Sequence, residues 1–156
     1  MEIIKGNTMN FKEIRATSEY LSDNNCCTVV ASSIAFNTPF KEMQNFFFNE
    51  MGRKRNKGIR FETKQVEKVA KKFGYKITLH KTREFKNNGF LTPNNCNQYL
   101  DRGTYLLGCR GHVLAFKNGI VEDWTQGRKH YINRIWKVEE IVKSSQNSFN
   151  DFINSL

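Results

Sequence analysis

The stretch NNCCTVVASSIAF (Asn24–Phe36) places two adjacent cysteines directly before a run of small and apolar residues. After Cys27, apolar side chains recur at intervals of three and four residues, at Val30, Ala31 and Ile34, and the other face carries only small Thr and Ser side chains. This pattern predicts a helix that begins at Cys27 and is buried around most of its circumference. The fold is expected to be built around this helix, with a thiol at its start.

A cysteine at a helix N-terminus is in a setting that favours its nucleophilic form. The first turn of a helix carries unpaired N–H groups and about half a positive charge from the helix dipole. Both stabilise a thiolate over a thiol, and the thiolate is the nucleophile. The stretch therefore suggests thiol catalysis. The alternative is that Cys26 and Cys27 are small buried apolar groups, as most free cysteines are.

Three further helices are predicted in the first half of the chain. A short one covers residues 10–21. Another begins with Thr38 as N-cap and Pro39 in the first helical position, where a missing N–H costs nothing. The last begins at its N-cap Thr63 and ends at Gly74.

The second half of the chain is rich in β-strand patterns. Thr92 and Pro93 first mark a short helix start. Strands are predicted at YKITLH (75–80), TYLLGC (104–109), HVLAF (112–116), IVEDW (120–124) and YINRIWKV (131–138). Helices followed by successive strands are the layout of an α+β fold. We expect one domain over 1–156, with a helical part over about 1–73, a sheet over about 75–140 and a short C-terminal helix or tail.

The chain is basic, with 25 Lys and Arg against 15 Asp and Glu and a net charge of +10. Such an excess attracts nucleic acid, an anionic membrane face or an acidic protein. Positive charge is dense only in GRKRNKGIR (52–60) and HKTREFK (80–86), and no zinc-finger, basic-zipper or aromatic sheet motif is present. These features disfavour nucleic acid as the partner and leave an acidic peptide or protein open, and the alternative is that the charge serves solubility. The pattern does not give an oligomeric state.

The N-terminal stretch MEIIKGNTMNFKEIR has scattered charges and predicts neither a signal peptide nor a mitochondrial presequence. No stretch approaches the roughly 18 apolar residues of a membrane span, so no membrane partner is expected. A cytoplasmic location follows as the expectation, and its reducing conditions would keep the four cysteines as thiols.

A histidine and an aspartate are brought together by a predicted hairpin in RGHVLAFKNGIVEDW (110–124). Asn118 and Gly119 are the residue types that a two-residue type I′ turn favours. In that register Asp123 lies on the same face as His112, one diagonal step and about 7 Å away between backbones. A carboxylate there can hold an imidazole nitrogen. A three-residue turn would place Asp123 on the opposite face.

Cys109 and His112 are three residues apart, a spacing that two ligands of a zinc ion can have. Residues at that spacing on one strand point to opposite faces, and no second pair of ligands stands nearby. The sequence therefore predicts no metal and no other cofactor. The other two histidines, His80 and His130, lie in basic, polar settings and are expected to be solvated.

Three segments together resemble the papain-like cysteine peptidases, in particular the small versions common in bacteriophage and bacterial genomes. They are NNCCTVVASSIAFNTPFKEMQNFF, GRKRNKGI and GTYLLGCRGHVLAFKNGIVEDW, within Asn24–Gly58 and Gly103–Trp124. The resemblance implies a papain-like fold in which a central helix bearing the nucleophile packs on a C-terminal antiparallel sheet. It also implies the cytosol of a bacterium or of a phage-infected host.

The resemblance aligns the nucleophile with Cys27 rather than Cys26, the general base with His112 and the orienting acid with Asp123. It implies cleavage of a peptide or isopeptide amide through a Cys-His-Asp triad and an acyl-enzyme intermediate. The position before the nucleophile that is often acidic in the small phage proteins is Cys26 here.

The glutamine that donates to the oxyanion in this family, about six residues before the cysteine, is replaced by Leu21 here. Asn24 or Asn25 is therefore the predicted donor, beside the backbone N–H of Cys27. Trp124 is predicted either to shield the triad as an aromatic lid or to fill the core.

The basic loop over 53–60 is predicted to border the cleft or to contact a partner through Arg53, Lys54, Arg55 and Lys57. The alternative is that it is a solvated connector. The alternative function is a catalytically inactive papain-like fold that acts as a basic protein- or nucleic-acid-binding module. The pattern does not separate a peptidase from an isopeptidase, a deamidase or a transferase.

Overall fold

The structure, a computed structural model, describes residues 9–80, 92–93, 95–123 and 131–141. Over these residues it is an α+β fold with four α-helices and a five-stranded antiparallel sheet. The helices are α1 (Phe11–Tyr20), α2 (Cys27–Ala35), α3 (Phe40–Glu50) and α4 (Thr63–Phe73). The strands are β1 (Tyr75–His80), β2 (Thr104–Cys109), β3 (His112–Lys117), β4 (Ile120–Glu122) and β5 (Ile132–Glu140), with a 3-10 turn at Cys96–Gln98 between β1 and β2.

The four predicted α-helices and the five predicted strands are confirmed with small shifts at their ends. The helix predicted to start at Thr92 and Pro93 is only a 3-10 turn at Cys96–Gln98, and two predicted caps are wrong. Thr38 does not cap α3, because its hydroxyl donates to the carbonyl of Phe36 at 2.9 Å and Pro39, in an extended conformation, is the N-cap. The N-cap of α4 is Glu62 instead of Thr63, and its N–H donates to a side chain in the first turn at 2.9 Å. The predicted C-terminal helix and Trp124 lie outside the described residues.

The sheet has the strand order β1-β5-β2-β3-β4, and α2 packs against one of its faces. Leu106, Val113 and Ala115 from β2 and β3 lie in the same core cluster as the apolar residues of α2. The eight residues of α2 that follow Cys27 are all buried, and Cys27 alone is partly exposed. The helix is thus central to the core, and its start is the part that opens to solvent.

A cluster of aromatic side chains fixes α3 and α4 on the same side of the sheet. Phe61 packs on Phe47 and on Trp136 of β5, with ring centroids 6.0 and 6.4 Å apart. The indole N–H of the buried Trp136 donates to the hydroxyl of Thr63 at 3.1 Å, which satisfies its polar group. This packing also holds the segment before α4 against β5.

The hairpin between β3 and β4 has the predicted turn. Asn118 and Gly119 have φ values of 51° and 86°, as both central residues of a type I′ turn require. Lys117 pairs with Ile120, and the register continues so that Asp123 directly follows the last residue of β4. The predicted two-residue register is therefore confirmed.

Within the described ranges, no helix has both the length and the apolar character that crossing a membrane requires.

Candidate active site

Cys27 lies at the N-terminus of α2, where that helix meets the start of β3. It is the first helical residue, and the N-cap before it, Cys26, makes no capping hydrogen bond with its side chain. The positive end of the helix therefore has no side-chain cap at the thiol. The unpaired backbone N–H groups and the positive end of the dipole at a helix N-terminus stabilise negative charge on an atom placed there.

The two adjacent cysteines differ sharply in environment. Cys26 is 4% exposed, and its thiol donates to the carbonyl of Asp23 at 3.4 Å. Burial, and then the negative charge of Asp23, raise the pKa of the Cys26 thiol to about 11. Cys26 thus stays protonated at neutral pH, whereas Cys27 is partly exposed and faces a cavity.

His112 is hydrogen-bonded to both other members of the predicted triad. Its Nε2 lies 2.7 Å from Oδ2 of Asp123, whose carboxylate is buried. Its side chain also forms a hydrogen bond with Cys27. Burial opposes a charged imidazole, but the bonds to Asp123 and Cys27 and their negative charges outweigh it and raise the pKa of His112 to about 9.

The raised pKa of His112 predicts a pH-dependent contribution to stability. An imidazolium favoured in the folded state stabilises that state fully below about pH 6.5, and this contribution is lost as pH rises through about 9. Asp123→Asn removes the strongest favourable partner. The gap in unfolding free energy between wild type and Asp123→Asn should therefore be wide near pH 6 and narrower above about pH 9 in urea titrations. A gap that widens with rising pH would contradict the assignment.

The thiol and the imidazole border a small cavity of about 250 Å³. Its walls are the first turn of α2, the segment Gly58–Glu62 before α4, the adjoining ends of β2 and β3, and Arg134 of β5. The cavity is open on one side and mixes apolar surface with a few charged groups, as small ligand sites do.

The basic loop borders the cavity as predicted, but only at its end, through Gly58, Ile59 and Arg60, and not through the four side chains predicted as contacts. Arg53 is 3% exposed, and both of its terminal nitrogens bind the carboxylate of Asp23, so its prediction as an accessible contact is wrong. Lys54, Arg55 and Lys57 are exposed, but none of them lines the cavity.

Two arginines that were not among the four predicted contacts line the cavity, one at the end of the basic loop and one in β5. They are Arg60 and Arg134. A local signal existed for Arg60, because its neighbours Ile59 and Phe61 are apolar and pack inward, which turns the residue between them outward. Arg134 had no such signal, because its place depends on how β5 packs against the segment before α4.

The geometry does not support an oxyanion role for the side chains of Asn24 and Asn25. Both residues are exposed and neither lines the cavity. The backbone N–H of Asn24 donates to Oδ1 of Asn56 at 2.6 Å, and the Asn25 amide donates to the Asn56 carbonyl at 3.1 Å. These bonds tie the loop before Cys27 to the basic loop. The first N–H groups of a helix lack partners within the helix, so those at the start of α2 replace the asparagine side chains as the predicted donors.

Cys109 and His112 were predicted to lie on one strand with their side chains on opposite faces, and this prediction is wrong. The two residues lie directly opposite each other, on β2 and β3, rather than on one strand. Burial, followed by the charge of Asp123, raises the pKa of the Cys109 thiol to about 11. Across the residues that the structure describes, no three His, Cys, Asp or Glu side chains converge as a metal site.

The arrangement brings together a nucleophile, a proton carrier and an orienting carboxylate, in the order Cys27, His112 and Asp123. Such a set can attack an electrophilic carbon and move a proton to and from the reacting atoms. Comparisons of the chain with protein-family models, with curated proteins and with solved structures found no match.

Proposed function

We propose that this protein is a papain-like thiol hydrolase that cleaves a peptide or isopeptide amide through an acyl-enzyme. The observation that carries the proposal is the chain of contacts from the Cys27 thiol to His112 and on to the buried carboxylate of Asp123, at the edge of a cavity. Three side chains from a helix, a strand and the end of the next strand meet in the order that acyl transfer needs.

The reaction starts once the thiol proton of Cys27 resides on His112, so that a thiolate lies beside an imidazolium. The sulfur then attacks the carbonyl carbon, an S–C bond forms, and the carbonyl electron pair moves to oxygen. Backbone N–H groups at the start of α2 are the donors beside this oxyanion. The C–N bond breaks as His112 gives its proton to the leaving amine, which leaves a thioester on Cys27.

Water completes the cycle. His112, now neutral, accepts a proton from a water molecule whose oxygen attacks the thioester carbonyl. The S–C bond breaks, the carboxylic acid is released, and the proton stays on His112 beside the restored thiolate. An amine in place of water would give transfer instead of hydrolysis.

Asp123 acts by orienting the imidazole. Its carboxylate occupies Nε2, which leaves Nδ1 as the ring nitrogen available to the sulfur. Because the carboxylate is almost fully buried, its charge is poorly screened, and it stabilises the imidazolium that forms during the reaction.

The experiment is a burst assay with p-nitrophenyl acetate. Wild type should release nitrophenol in a burst of about one equivalent and carry an acetyl group on Cys27, identified by peptide mass spectrometry. Cys27→Ala should show no burst, and the matched control Cys26→Ala should keep it because the Cys26 thiol is buried and protonated. An equal burst in wild type and Cys27→Ala would overturn the proposal and favour the inactive binding module.

A further inference from the structure

Some of the charged side chains around the cavity are paired with an opposite charge, and one is not. Apart from His112, they are Arg60, Glu62 and Arg134. Nη1 of Arg134 lies 2.9 Å from Oε1 of Glu62, and the Arg134 guanidinium also lies over the Trp136 ring, 5.9 Å from its centroid. The charges of Glu62 and Arg134 therefore cancel, and the pair forms a fixed part of the wall.

Arg60 is the uncompensated cation of this wall. It is exposed, and it makes no hydrogen bond or ion pair with any residue in the described part of the chain. Ile59 and Phe61 on either side are held by the core, so the backbone of Arg60 is anchored while its guanidinium keeps five free donors. A guanidinium of this kind binds a carboxylate with two parallel hydrogen bonds.

The same cavity holds a second polar group without a partner. Thr28, directly after the nucleophile, is 4% exposed, and its hydroxyl makes no hydrogen bond within the described residues. Much of the remaining wall is glycine or apolar, including Gly58, Gly111 and Val113. The Thr28 hydroxyl is itself buried, so the charged group that this wall presents to a ligand without a partner among the described residues is the Arg60 guanidinium.

The three side chains of the triad together carry a negative charge, so binding of an acidic substrate requires a cation outside the triad. A Cys27 thiolate and a His112 imidazolium offset each other, and the carboxylate of Asp123 leaves a net charge of −1 next to the cavity. This charge repels an incoming carboxylate unless a nearby cation compensates it.

We infer that the site selects substrates that carry a carboxylate next to the scissile bond, and that Arg60 is the specificity-determining residue that binds it. The inference rests on the proposed function and names its substrate class. The acidic preference expected from the basic loop is thereby assigned to Arg60 at the cavity instead of the exposed cations Lys54, Arg55 and Lys57.

Two alkylating agents of similar size provide the probes. Iodoacetate carries a carboxylate and iodoacetamide a neutral amide, and both form an S–C bond with Cys27 as iodide leaves. The ratio of their alkylation rates at Cys27 measures how well the site accepts an anion. Because both rates depend on the same sulfur, changes in its reactivity cancel in the ratio.

Arg60→Gln should lower the iodoacetate to iodoacetamide ratio roughly two- to fivefold at low salt, and Arg60→Glu should lower it further. Added salt should narrow the difference from wild type. Lys57→Gln is the matched control, because it removes an exposed cation of the same loop that does not line the cavity, and its ratio should equal that of wild type.

An unchanged ratio in Arg60→Gln, or an equal fall in Lys57→Gln, would overturn the inference and leave the proposed function standing. Failure of the proposed function has a different signature. In that case iodoacetamide would label Cys27 of wild type near pH 6 no faster than it labels an ordinary thiol.

Discussion

Replacing His112 with alanine is expected to slow the alkylation of Cys27 by iodoacetamide at about pH 6 by roughly a hundredfold. An ordinary thiol with a pKa of about 8.5 is only about 0.3% thiolate at that pH. Because the pKa of His112 is raised to about 9, the imidazole is charged at pH 6 and stabilises a thiolate beside it. The helix N-terminus remains in the variant and keeps part of the reactivity of the thiol.

The pH profile separates this effect from a general change in access to the thiol. The His112→Ala rate should climb almost tenfold per pH unit between about pH 6 and 8, and the wild-type rate should climb less steeply, because His112 stays charged over that range. His80→Ala is the matched control, since its ring packs against Tyr105, 6.2 Å between centroids, and does not line the cavity. Equal rates in His112→Ala and wild type at pH 6 would refute the assignment of His112.

Replacing Arg53 with methionine is expected to destabilise the fold by about 3–5 kcal/mol. Nη1 and Nη2 of Arg53 lie 2.7 and 2.9 Å from the two oxygens of Asp23, and both side chains are fully buried. Methionine fills much of the same volume but leaves the carboxylate without its counter-charge. A buried ion that loses its partner keeps its desolvation cost, and that cost is the origin of the large effect.

The network around this ion pair extends to the loop that precedes the nucleophile. Asp23 also accepts hydrogen bonds from the Gln44 side chain and the Asn56 N–H, both at 2.8 Å, and Arg53 donates to the carbonyl of Asn24 at 3.1 Å. Breaking the pair should therefore loosen the residues directly before Cys27 as well as lower the overall stability.

Urea unfolding of Arg53→Met beside Lys54→Met provides the measurement. Lys54 is the exposed neighbour, and its replacement should change the free energy of unfolding by less than about 0.5 kcal/mol. Burial opposes ionisation of Asp23, but its bonds to Arg53, Gln44 and Asn56 outweigh it and lower its pKa to about 2. The carboxylate thus stabilises the fold above its ordinary pKa near 4, and that contribution is lost as pH falls through about 2. A cost in Arg53→Met no larger than in Lys54→Met would contradict this account.

Much of the candidate site was accessible from local patterns. The three- and four-residue spacing after Cys27 predicted α2 and its start, and the Asn118-Gly119 turn predicted the register that brings Asp123 to His112. The preference for Cys27 over Cys26 came from the family resemblance, and the difference in burial agrees with it. The catalytic roles themselves remain predictions.

The errors at the basic loop and at the asparagines have a common origin in contacts between distant parts of the chain. Arg53 looked like one more cation of a basic loop, and only the packing of that loop on the segment before α2 shows that it is buried against Asp23, 30 residues earlier. The Asn25 amide was expected to serve the oxyanion, but its nearest acceptor is the carbonyl of Asn56, 31 residues away.

By itself, the sequence determined a buried helix that begins at a cysteine, a late hairpin with a defined turn, and an α+β order of elements. Side-chain periodicity and backbone preferences act over a few residues, so they can be seen in a short stretch of letters. The tertiary structure alone decided which cations are buried and which line the cavity, and that Cys109 faces His112. The burial and pairing of a charge depend on which surfaces the packed elements bring together, and no local pattern encodes that information.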